Sequence, residues 1–215
     1  MGHTVLVVAG GMPEPTATRP DLTDVTCVVA ADGGIDTARA LGLHVDLAIG
    51  DFDSVSAEGL AAAEREGAHV ERHPVAKDAT DLELALDAAL AAGPARILVL
   101  GSDGGRLDHL LSSLDVLASR RYAAVELDAV LGRARLHVIH PGSRSLSGTP
   151  GELVSLHALH GEARGVSTHG LLYPLAGETL APGSSRGVSN VFAEPEARIS
   201  LEHGVLLAIR PGEEA

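Results

Sequence analysis

Short apolar runs alternate with longer Ala- and Leu-rich stretches before residue 145, and this alternation constrains the fold more than any other feature. The runs that predict buried strands are 4–9, 25–30, 46–49, 69–72, 96–100 and 124–127. The stretches that predict helices between them are 33–41, 56–66, 80–92 and 106–119. Strands and helices that alternate in this way indicate a mostly parallel sheet with helices on both of its faces.

The segment 80–92 shows the helical pattern most clearly, because its leucines and alanines recur at the three- and four-residue spacing of one helix face. Thr80 and Glu83 stand at the two positions of a capping box, in which the Thr side chain accepts a hydrogen bond from the Glu backbone N–H. Gly93-Pro94 then predicts the end of the helix.

After residue 145 the helical pattern gives way to short strand candidates separated by Gly, Pro and Ser turns. These candidates are 152–159, 162–168, 186–192, 197–202 and 205–210. Their spacing is typical of a small antiparallel sandwich or barrel. We therefore expect an α/β domain over 1–142, followed by an all-β sandwich domain over 143–215.

Composition narrows the possible partners. The formal net charge of −13 leaves no basic surface for a nucleic acid or an anionic membrane, so neither is expected as a partner. A single cysteine excludes a framework of disulfides within the chain. No apolar run approaches the ~20 residues of a membrane-spanning helix, and no signal peptide is recognisable at the N-terminus. We expect a cytoplasmic protein.

Charged residues and glycines follow four consecutive predicted strands, at the point where each strand ends. The four segments are Ala31 to Gly34, Gly50 to Ser54, Lys77 to Asp81 and Gly101 to His109. In an open parallel sheet, ligands bind beyond the carboxyl ends of the strands. We therefore expect these segments to form one site.

The carboxylates among these residues favour a hard cation. Asp51 and Asp53 are two positions apart, so in extended backbone their side chains would share a face. Two neighbouring carboxylates repel each other unless a cation lies between them, and Mg²⁺ suits one or two carboxylates together with substrate phosphates. Asp81, in the first turn of its predicted helix, would supply a third oxygen.

The glycines and cations favour phosphate. The pairs Gly33-Gly34 and Gly104-Gly105 would let backbone N–H groups approach a phosphate at the start of a helix. Lys77 and Arg106 would neutralise its charge, and Arg106 has the geometry to do so with two parallel hydrogen bonds.

Each motif alone has an ordinary structural interpretation. An isolated Asp-x-Asp is commonly a turn, Asp81 alone would serve the helix dipole, and a Gly-Gly pair is commonly a turn. The chain has neither a Walker A sequence nor a Gly-x-Gly-x-x-Gly after the first strand. A phosphatase with an aspartate nucleophile would carry Asp-x-Asp after the first strand, where this chain has Ala9-Gly10-Gly11.

Taken in order, the motifs resemble those of the thiamine pyrophosphokinase family over nearly the whole chain. They are Ala31–Gly34, Asp46–Ser54, Lys77–Asp81, Gly104–His109, Gly170–Leu175 and Gly187–Asn190. The resemblance implies a thiamine diphosphokinase, which moves pyrophosphate from ATP to the thiamine hydroxyl and releases AMP. It also implies a first domain that binds ATP and Mg²⁺, and a homodimer in which thiamine lies between the α/β domain of one subunit and the sandwich of the other.

The same resemblance assigns individual residues. Asp51, Asp53 and Asp81 would hold Mg²⁺ and act in catalysis together with Arg106 and Asp108. The residues that would bind ATP are Asp32, Gly33, Gly34, Lys77, Thr80, Gly104, Gly105 and His109. Those that would bind thiamine are Tyr173, Ser189 and Asn190, with Tyr173 either an aromatic platform or part of the sandwich core.

Several alternatives stay open from the sequence. Asp51, Asp81, Asp108 and the metal itself are all candidates for activating the acceptor hydroxyl. A pyrophosphokinase or nucleotide hydrolase acting on another acceptor would carry much the same residues. A thiamine or nucleotide sensor without catalytic activity would also carry them, although the loss of activity should first remove the metal-binding carboxylates.

Overall fold

The computed structural model describes residues 2–11, 20–102 and 105–212. The chain divides into two compact units, and each is made of two stretches of sequence. Unit 1 comprises Met1–Leu110 and Val125–Arg133, and unit 2 comprises Leu111–Ala124 and Ala134–Ala215.

Unit 1 is built from a parallel sheet with helices between its strands. Its strands are β1 (Thr4–Val8), β2 (Val25–Ala31), β3 (Leu47–Gly50), β4 (His69–Arg72), β5 (Arg96–Gly101) and β6 (Glu126–Leu131). Its helices are α1 (Gly34–Ala40), α2 (Ala57–Arg65) and α3 (Asp81–Ala91), and α4 (Leu107–Leu117) begins in unit 1 and ends in unit 2. The strands lie in the order β6-β5-β1-β2-β3-β4, and every neighbouring pair is parallel.

Both faces of this sheet are covered. Leu6 and Val8 of β1 pack in one core with Ile35 of α1. Val5 and Val7 point to the opposite face and are also fully buried, and α3 lies against β1 and β2. The predicted α/β architecture is confirmed, with all of its strands and helices found within a few residues of their predicted limits.

Unit 2 is an antiparallel sandwich. Its strands are β7 (Ala134–Ile139), β8 (Gly142–Ser147), β9 (Leu153–Ala158), β10 (Ala163–His169), β11 (Glu178–Leu180), β12 (Asn190–Val191), β13 (Glu196–Leu201) and β14 (Leu206–Arg210). They form the antiparallel series β12-β9-β14-β7 and β11-β10-β13-β8. Leu156 and Leu206 from the first series share one core with Val166 and Ile199 from the second.

Three strands of unit 2 had no counterpart among the predicted segments: β7, β8 and β11. β7 mixes polar and apolar residues, β8 has Leu146 as its only apolar side chain, and β11 has only three residues. Because β7 belongs to unit 2, the compact units and the predicted limits 1–142 and 143–215 divide the chain differently. The functional domain boundary stays a prediction. No helix among the described residues is both long enough and apolar enough to cross a membrane.

Candidate functional site

The acidic turn, residues 50–54, follows β3 at the carboxyl end of the parallel sheet. It is not the extended segment that the sequence suggested, because Phe52 has a φ of +63°. A bulky residue adopts this left-handed conformation only when its surroundings impose it. Here the Phe52 ring packs against the core of unit 1, and the guanidinium carbon of Arg72 lies 5.0 Å from the ring centroid.

Three carboxylates gather at this turn. Asp32, Asp51 and Asp53 each offer an oxygen atom, and these oxygens all lie within 4.8 Å of one another. We call them the three-carboxylate group. Asp32 Oδ1 is buried and has no hydrogen-bond partner among the described residues. A buried, unpaired carboxylate oxygen beside two further carboxylates suits a divalent cation with oxygen ligands.

Lys77 is the cation that the chain itself supplies to this site. Its Nζ lies 2.6 Å from Asp51 Oδ2 and 3.0 Å from Asp81 Oδ1, and only 13% of its side chain is exposed. The hydrogen bond from Lys77 lowers the pKa of Asp51. Burial works against the charged form of Lys77, but Asp51 and Asp81 outweigh it and raise its pKa. Both groups are therefore charged at neutral pH.

Asp81, the first residue of α3, lies beside the three-carboxylate group rather than in it. A methyl group added to Gly50 would lie 2.9 Å from Asp81 Oδ1 and 3.2 Å from Asp32 Cβ, so these two residues flank Gly50. Gly50 has a φ of +147°, which glycine adopts without strain. The sequence grouped Asp81 with Asp51 and Asp53, whereas the structure groups Asp32 with them and pairs Asp81 with Lys77.

Arg106 and Asp108 form an exposed pair at the start of α4. Arg106 Nε lies 3.2 Å from Asp108 Oδ1, and Nη2 lies 2.5 Å from Oδ2. The pairing lowers the pKa of Asp108 and raises that of Arg106. An ion pair exposed to solvent contributes little to stability, so a charged ligand can exchange with either partner at little cost.

The other residues predicted to bind ATP lie at helix starts or close to them. Gly33 is the N-cap of α1 and Gly34 its first residue. Thr80 is the N-cap of α3, and its hydroxyl accepts a hydrogen bond from Glu83 N–H at 3.2 Å, which confirms this half of the predicted capping box. Gly105 lies just before α4 and His109 within it. Gly104 lies outside the described residues.

In unit 2, Asn190 joins two loops that the sequence had linked only by resemblance. Asn190 is 2% exposed. Its Oδ1 accepts hydrogen bonds from the backbone N–H groups of Tyr173 at 3.0 Å and Val191 at 2.9 Å, and its Nδ2 donates to the Tyr173 carbonyl at 2.7 Å. The structure thus brings Tyr173 and Asn190 together, and these interactions use the polar atoms of the Asn190 side chain.

Tyr173 itself is 57% exposed, beside Leu172 at 55%. It is therefore not a core residue of the sandwich. Ser189 has a left-handed φ of +56°, and its backbone N–H donates to Ser155 Oγ at 3.0 Å. Tyr173 and Ser189 thus expose an aromatic ring and a serine side chain on two loops next to β12.

The sequence did not single out Asp36 and Ser56, which connect α1 to the end of the acidic turn. Ser56 is the N-cap of α2, and Asp36 accepts hydrogen bonds from its backbone N–H and from its hydroxyl. The position of a serine before a helix was a detectable signal. The partnership with Asp36, 20 residues earlier in the chain, was not.

Carboxylates and a lysine at the carboxyl ends of parallel strands are typical of enzymes that handle phosphate groups together with a divalent metal. Two family models agree with this class and match the chain in order. The model for the thiamin pyrophosphokinase catalytic domain matches residues 21–127, and the model for the thiamin pyrophosphokinase vitamin B1 binding domain matches residues 137–206. The acidic turn lies in the first match, and Tyr173 and Asn190 lie in the second.

Relatives agree over the full length of the chain. A thiamine pyrophosphokinase of Bacillus subtilis (strain 168) is 28% identical over 212 residues, which cover 96% of this chain and 98% of the relative. The solved structure of thiamine pyrophosphokinase from Bacillus subtilis has a TM-score of 0.83 at 28% identity, covering 98% of this chain and 100% of that one. For the enzyme from Geobacillus thermodenitrificans the TM-score is 0.80 at 29% identity, covering 99% of each chain. The chain belongs to the thiamine pyrophosphokinase family.

Proposed function

We propose that this protein transfers the pyrophosphoryl group of ATP to the hydroxyl of thiamine, with Mg²⁺ as the divalent metal. The observation that carries the proposal is that the catalytic-domain and vitamin B1 binding-domain models match the chain in order. In this reaction the hydroxyl oxygen bonds to the β-phosphorus of ATP. The bond from that phosphorus to the oxygen shared with the α-phosphate breaks, the hydroxyl proton leaves, and the products are thiamine diphosphate and AMP.

Asp51, Asp53 and Asp81 are the metal ligands expected from the sequence, and we add Asp32 to the proposed set. The addition is supported by the unpaired Asp32 Oδ1 and by its distance to the oxygens of Asp51 and Asp53. A bound divalent metal would neutralise charge on the ATP phosphates during the transfer. Two of these carboxylates, Asp51 and Asp81, also hold Lys77 in place.

Lys77 is proposed to contact the transferred phosphates, because it is largely shielded from solvent, charged and held at a fixed point between two carboxylates. Arg106 is proposed to bind phosphate by exchanging its exposed partner, Asp108. The further ATP contacts in the proposal are Asp32, Gly33, Gly34, Thr80, Gly104, Gly105 and His109. Phosphoryl transfer depends mainly on positioning and charge neutralisation, which this set of residues would provide.

The hydroxyl proton needs an acceptor, and Asp51, Asp81 and Asp108 are the candidates. The lowered pKa of Asp51 and of Asp108 makes each a weaker base than an ordinary carboxylate. A weak base suits the role of holding charge better than that of removing a proton. Asp81 also pairs with Lys77, and the metal itself is a further candidate for activating the hydroxyl.

Tyr173, Ser189 and Asn190 are proposed to form the thiamine site. The exposed ring of Tyr173 would stack on the pyrimidine or face the cationic thiazolium. Because the polar atoms of Asn190 are engaged with the backbone of residues 173 and 191, its part would be to present Tyr173. We further propose a cytoplasmic homodimer in which thiamine lies between the α/β domain of one subunit and the sandwich of the other.

Incubation with ATP, Mg²⁺ and thiamine, followed by chromatography of the products, tests the proposal. We expect thiamine diphosphate and AMP in equal amounts, and no AMP when thiamine is left out. AMP release without thiamine would instead indicate a nucleotide hydrolase. Transfer to another alcohol but not to thiamine would replace the acceptor, and tight binding without turnover would indicate a sensor.

A further inference from the structure

Two separate segments of unit 1 supply the three-carboxylate group. Asp32 lies between β2 and α1, whereas Asp51 and Asp53 lie in the acidic turn after β3. Their oxygens can serve one cation only if the two segments keep a fixed distance, and the mutual repulsion of the carboxylates acts to separate them. A contact that ties one segment to the other would therefore affect metal affinity.

The carboxylate of Asp36 makes such a contact. Asp36 lies four residues after Asp32, in α1, and Ser56 lies three residues after Asp53, two residues beyond the end of the acidic turn. Asp36 Oδ2 accepts a hydrogen bond from Ser56 N–H at 2.8 Å, and Oδ1 accepts one from the Ser56 hydroxyl at 2.7 Å. Ser56 Oγ in turn accepts the N–H of Gly59 at 2.9 Å, which caps α2.

The start of α2 is shaped to receive this carboxylate. A methyl group at Gly59 would lie 2.0 Å from Asp36 Oδ1 and 2.8 Å from Ser56 Oγ, so only glycine leaves room for the contact. The carboxylate also lies at the positive end of the α2 dipole, where a negative charge is favoured. Asp36 is thus held by two hydrogen bonds and by the helix dipole, and its carboxylate occupies space that is open only because residue 59 is a glycine.

We infer that Asp36 is a positioning residue for the divalent-metal site, acting through Ser56 to hold the acidic turn at a fixed distance from Asp32. The inference rests on the proposed function, since it assumes that the three-carboxylate group binds a metal. Asp36 itself lies outside that group, and its carboxylate accepts both of these hydrogen bonds from Ser56. Residues that orient metal ligands in this way change metal affinity about 10–100-fold when they are replaced.

The test is to measure the Kd for Mn²⁺ by electron paramagnetic resonance, in the absence of ATP and thiamine. In Asp36→Asn one carboxylate oxygen becomes an NH₂ group, which cannot accept the second hydrogen bond from Ser56. We expect its Kd for Mn²⁺ to rise about tenfold. Gly59→Ala leaves every carboxylate in place but pushes Asp36 away, and we expect a rise of the same order. Ser56→Ala should behave likewise, whereas Ser56→Thr keeps the hydroxyl and should bind Mn²⁺ like the wild type.

The matched control is Asp46→Asn. Asp46 Oδ2 also ties two segments of unit 1 by accepting a backbone N–H, that of Val28 at 2.7 Å, but it does so at the amino end of β3, away from the acidic turn. We expect this variant to lose thermal stability and to keep its Kd for Mn²⁺. If Mn²⁺ binding weakened equally in the Asp36 and Asp46 variants, general destabilisation would explain the effect and the inference would be wrong.

Asp53→Ala separates the inference from the proposed function. If the wild type binds no Mn²⁺, or if Asp53→Ala binds it equally well, the proposed metal site is wrong and the inference falls with it. If the wild type binds and Asp53→Ala does not, the metal site stands. A Kd for Asp36→Asn within twofold of the wild-type value would then overturn the positioning role alone.

Discussion

The acidic turn of unit 1 and the Tyr173–Asn190 region of unit 2 differ in how far the protein satisfies their polar groups. At the acidic turn, three carboxylates crowd together, one buried oxygen of Asp32 lacks a partner among the described residues, and Phe52 is held in a left-handed conformation. At Asn190 the buried amide makes three hydrogen bonds, and the atoms left exposed are those of the Tyr173 and Leu172 side chains.

This difference corresponds to two kinds of recognition. Charge that the fold leaves uncompensated attracts an ion, and the strain is tolerated because neighbouring contacts impose it. A rigid loop with an exposed ring offers stacking area to an organic ligand and loses little conformational entropy when the ligand binds. We therefore expect substitutions at the acidic turn to change activity with little effect on stability, and substitutions at Asn190 to do the reverse.

Asp53→Ala tests the first half of this comparison and should have the largest effect. Loss of a metal ligand should lower kcat/KM about 10³-fold, since metal stabilisation of transition-state charge amounts to several kcal/mol. Because Asp53 is exposed and repels two neighbouring carboxylates, the melting temperature should stay equal or rise. Activity assays and a thermal melt measure the two effects. Wild-type activity in this variant would remove Asp53 from the metal site.

Asn190→Ala tests the second half. It leaves the Tyr173 N–H and carbonyl and the Val191 N–H without their partner, and we expect unfolding to become easier by about 3 kcal/mol. Asn190→Asp keeps the oxygen that accepts two of these bonds, but it buries a charge and sets a carboxylate oxygen against the Tyr173 carbonyl. Urea unfolding should therefore find it at least as destabilised as the alanine variant. Equal stability of all three proteins would contradict the structural role of Asn190.

Tyr173→Ala should affect substrate binding alone. With 57% of Tyr173 exposed, its removal costs little packing, so stability should change by less than about 0.5 kcal/mol. Loss of a stacking platform should raise KM for thiamine about tenfold and leave KM for ATP unchanged. Tyr173→Phe keeps the ring and should retain the wild-type KM. A thiamine KM that does not respond to Tyr173→Ala would move the acceptor site elsewhere.

Local patterns in the sequence were enough for most of the fold, because the central parallel strands β1 and β5 are short apolar runs buried on both faces. They fail where a long-range partner changes the meaning of a residue. Asp128 directly follows the predicted strand 124–127, yet it lies buried within β6, where Arg96 binds it at 2.8 Å and 3.0 Å. Nothing near Asp128 in the sequence indicates this ion pair.

The same limit applies to the site. The sequence predicted which segments would meet, because the carboxyl ends of parallel strands lie along one edge of the sheet. The turn conformation at Gly50 and Phe52 determines which carboxylates pair with Lys77. It also places Asp32, rather than Asp81, beside Asp51 and Asp53. The sequence gives no measure of that conformation, since positive φ at a phenylalanine is exceptional.

His140 differs from Asn190, although both lie in unit 2, and its substitution has the smallest predicted effect. Its Nε2 is buried and without a hydrogen-bond partner among the described residues, and burial, together with nearby Arg120, lowers its pKa. Unfolded histidine has a pKa of about 6.5. As the pH falls below that value the unfolded chain therefore binds a proton before folded His140 does, and stability is lost.

We accordingly expect the free energy of unfolding to be level from pH 8 to 7 with respect to this group, and to decrease as the pH falls through 6 towards the lower pKa of the folded protein. His140→Gln, which does not titrate, should show a shallower decrease over the same range. Both tyrosines, Tyr122 and Tyr173, lie in unit 2 and the chain has no Trp, so tyrosine fluorescence during urea unfolding reports on this unit. Parallel pH curves for the two proteins would mean that His140 has the same pKa in the folded and the unfolded chain, which would contradict the lowered pKa of the folded state.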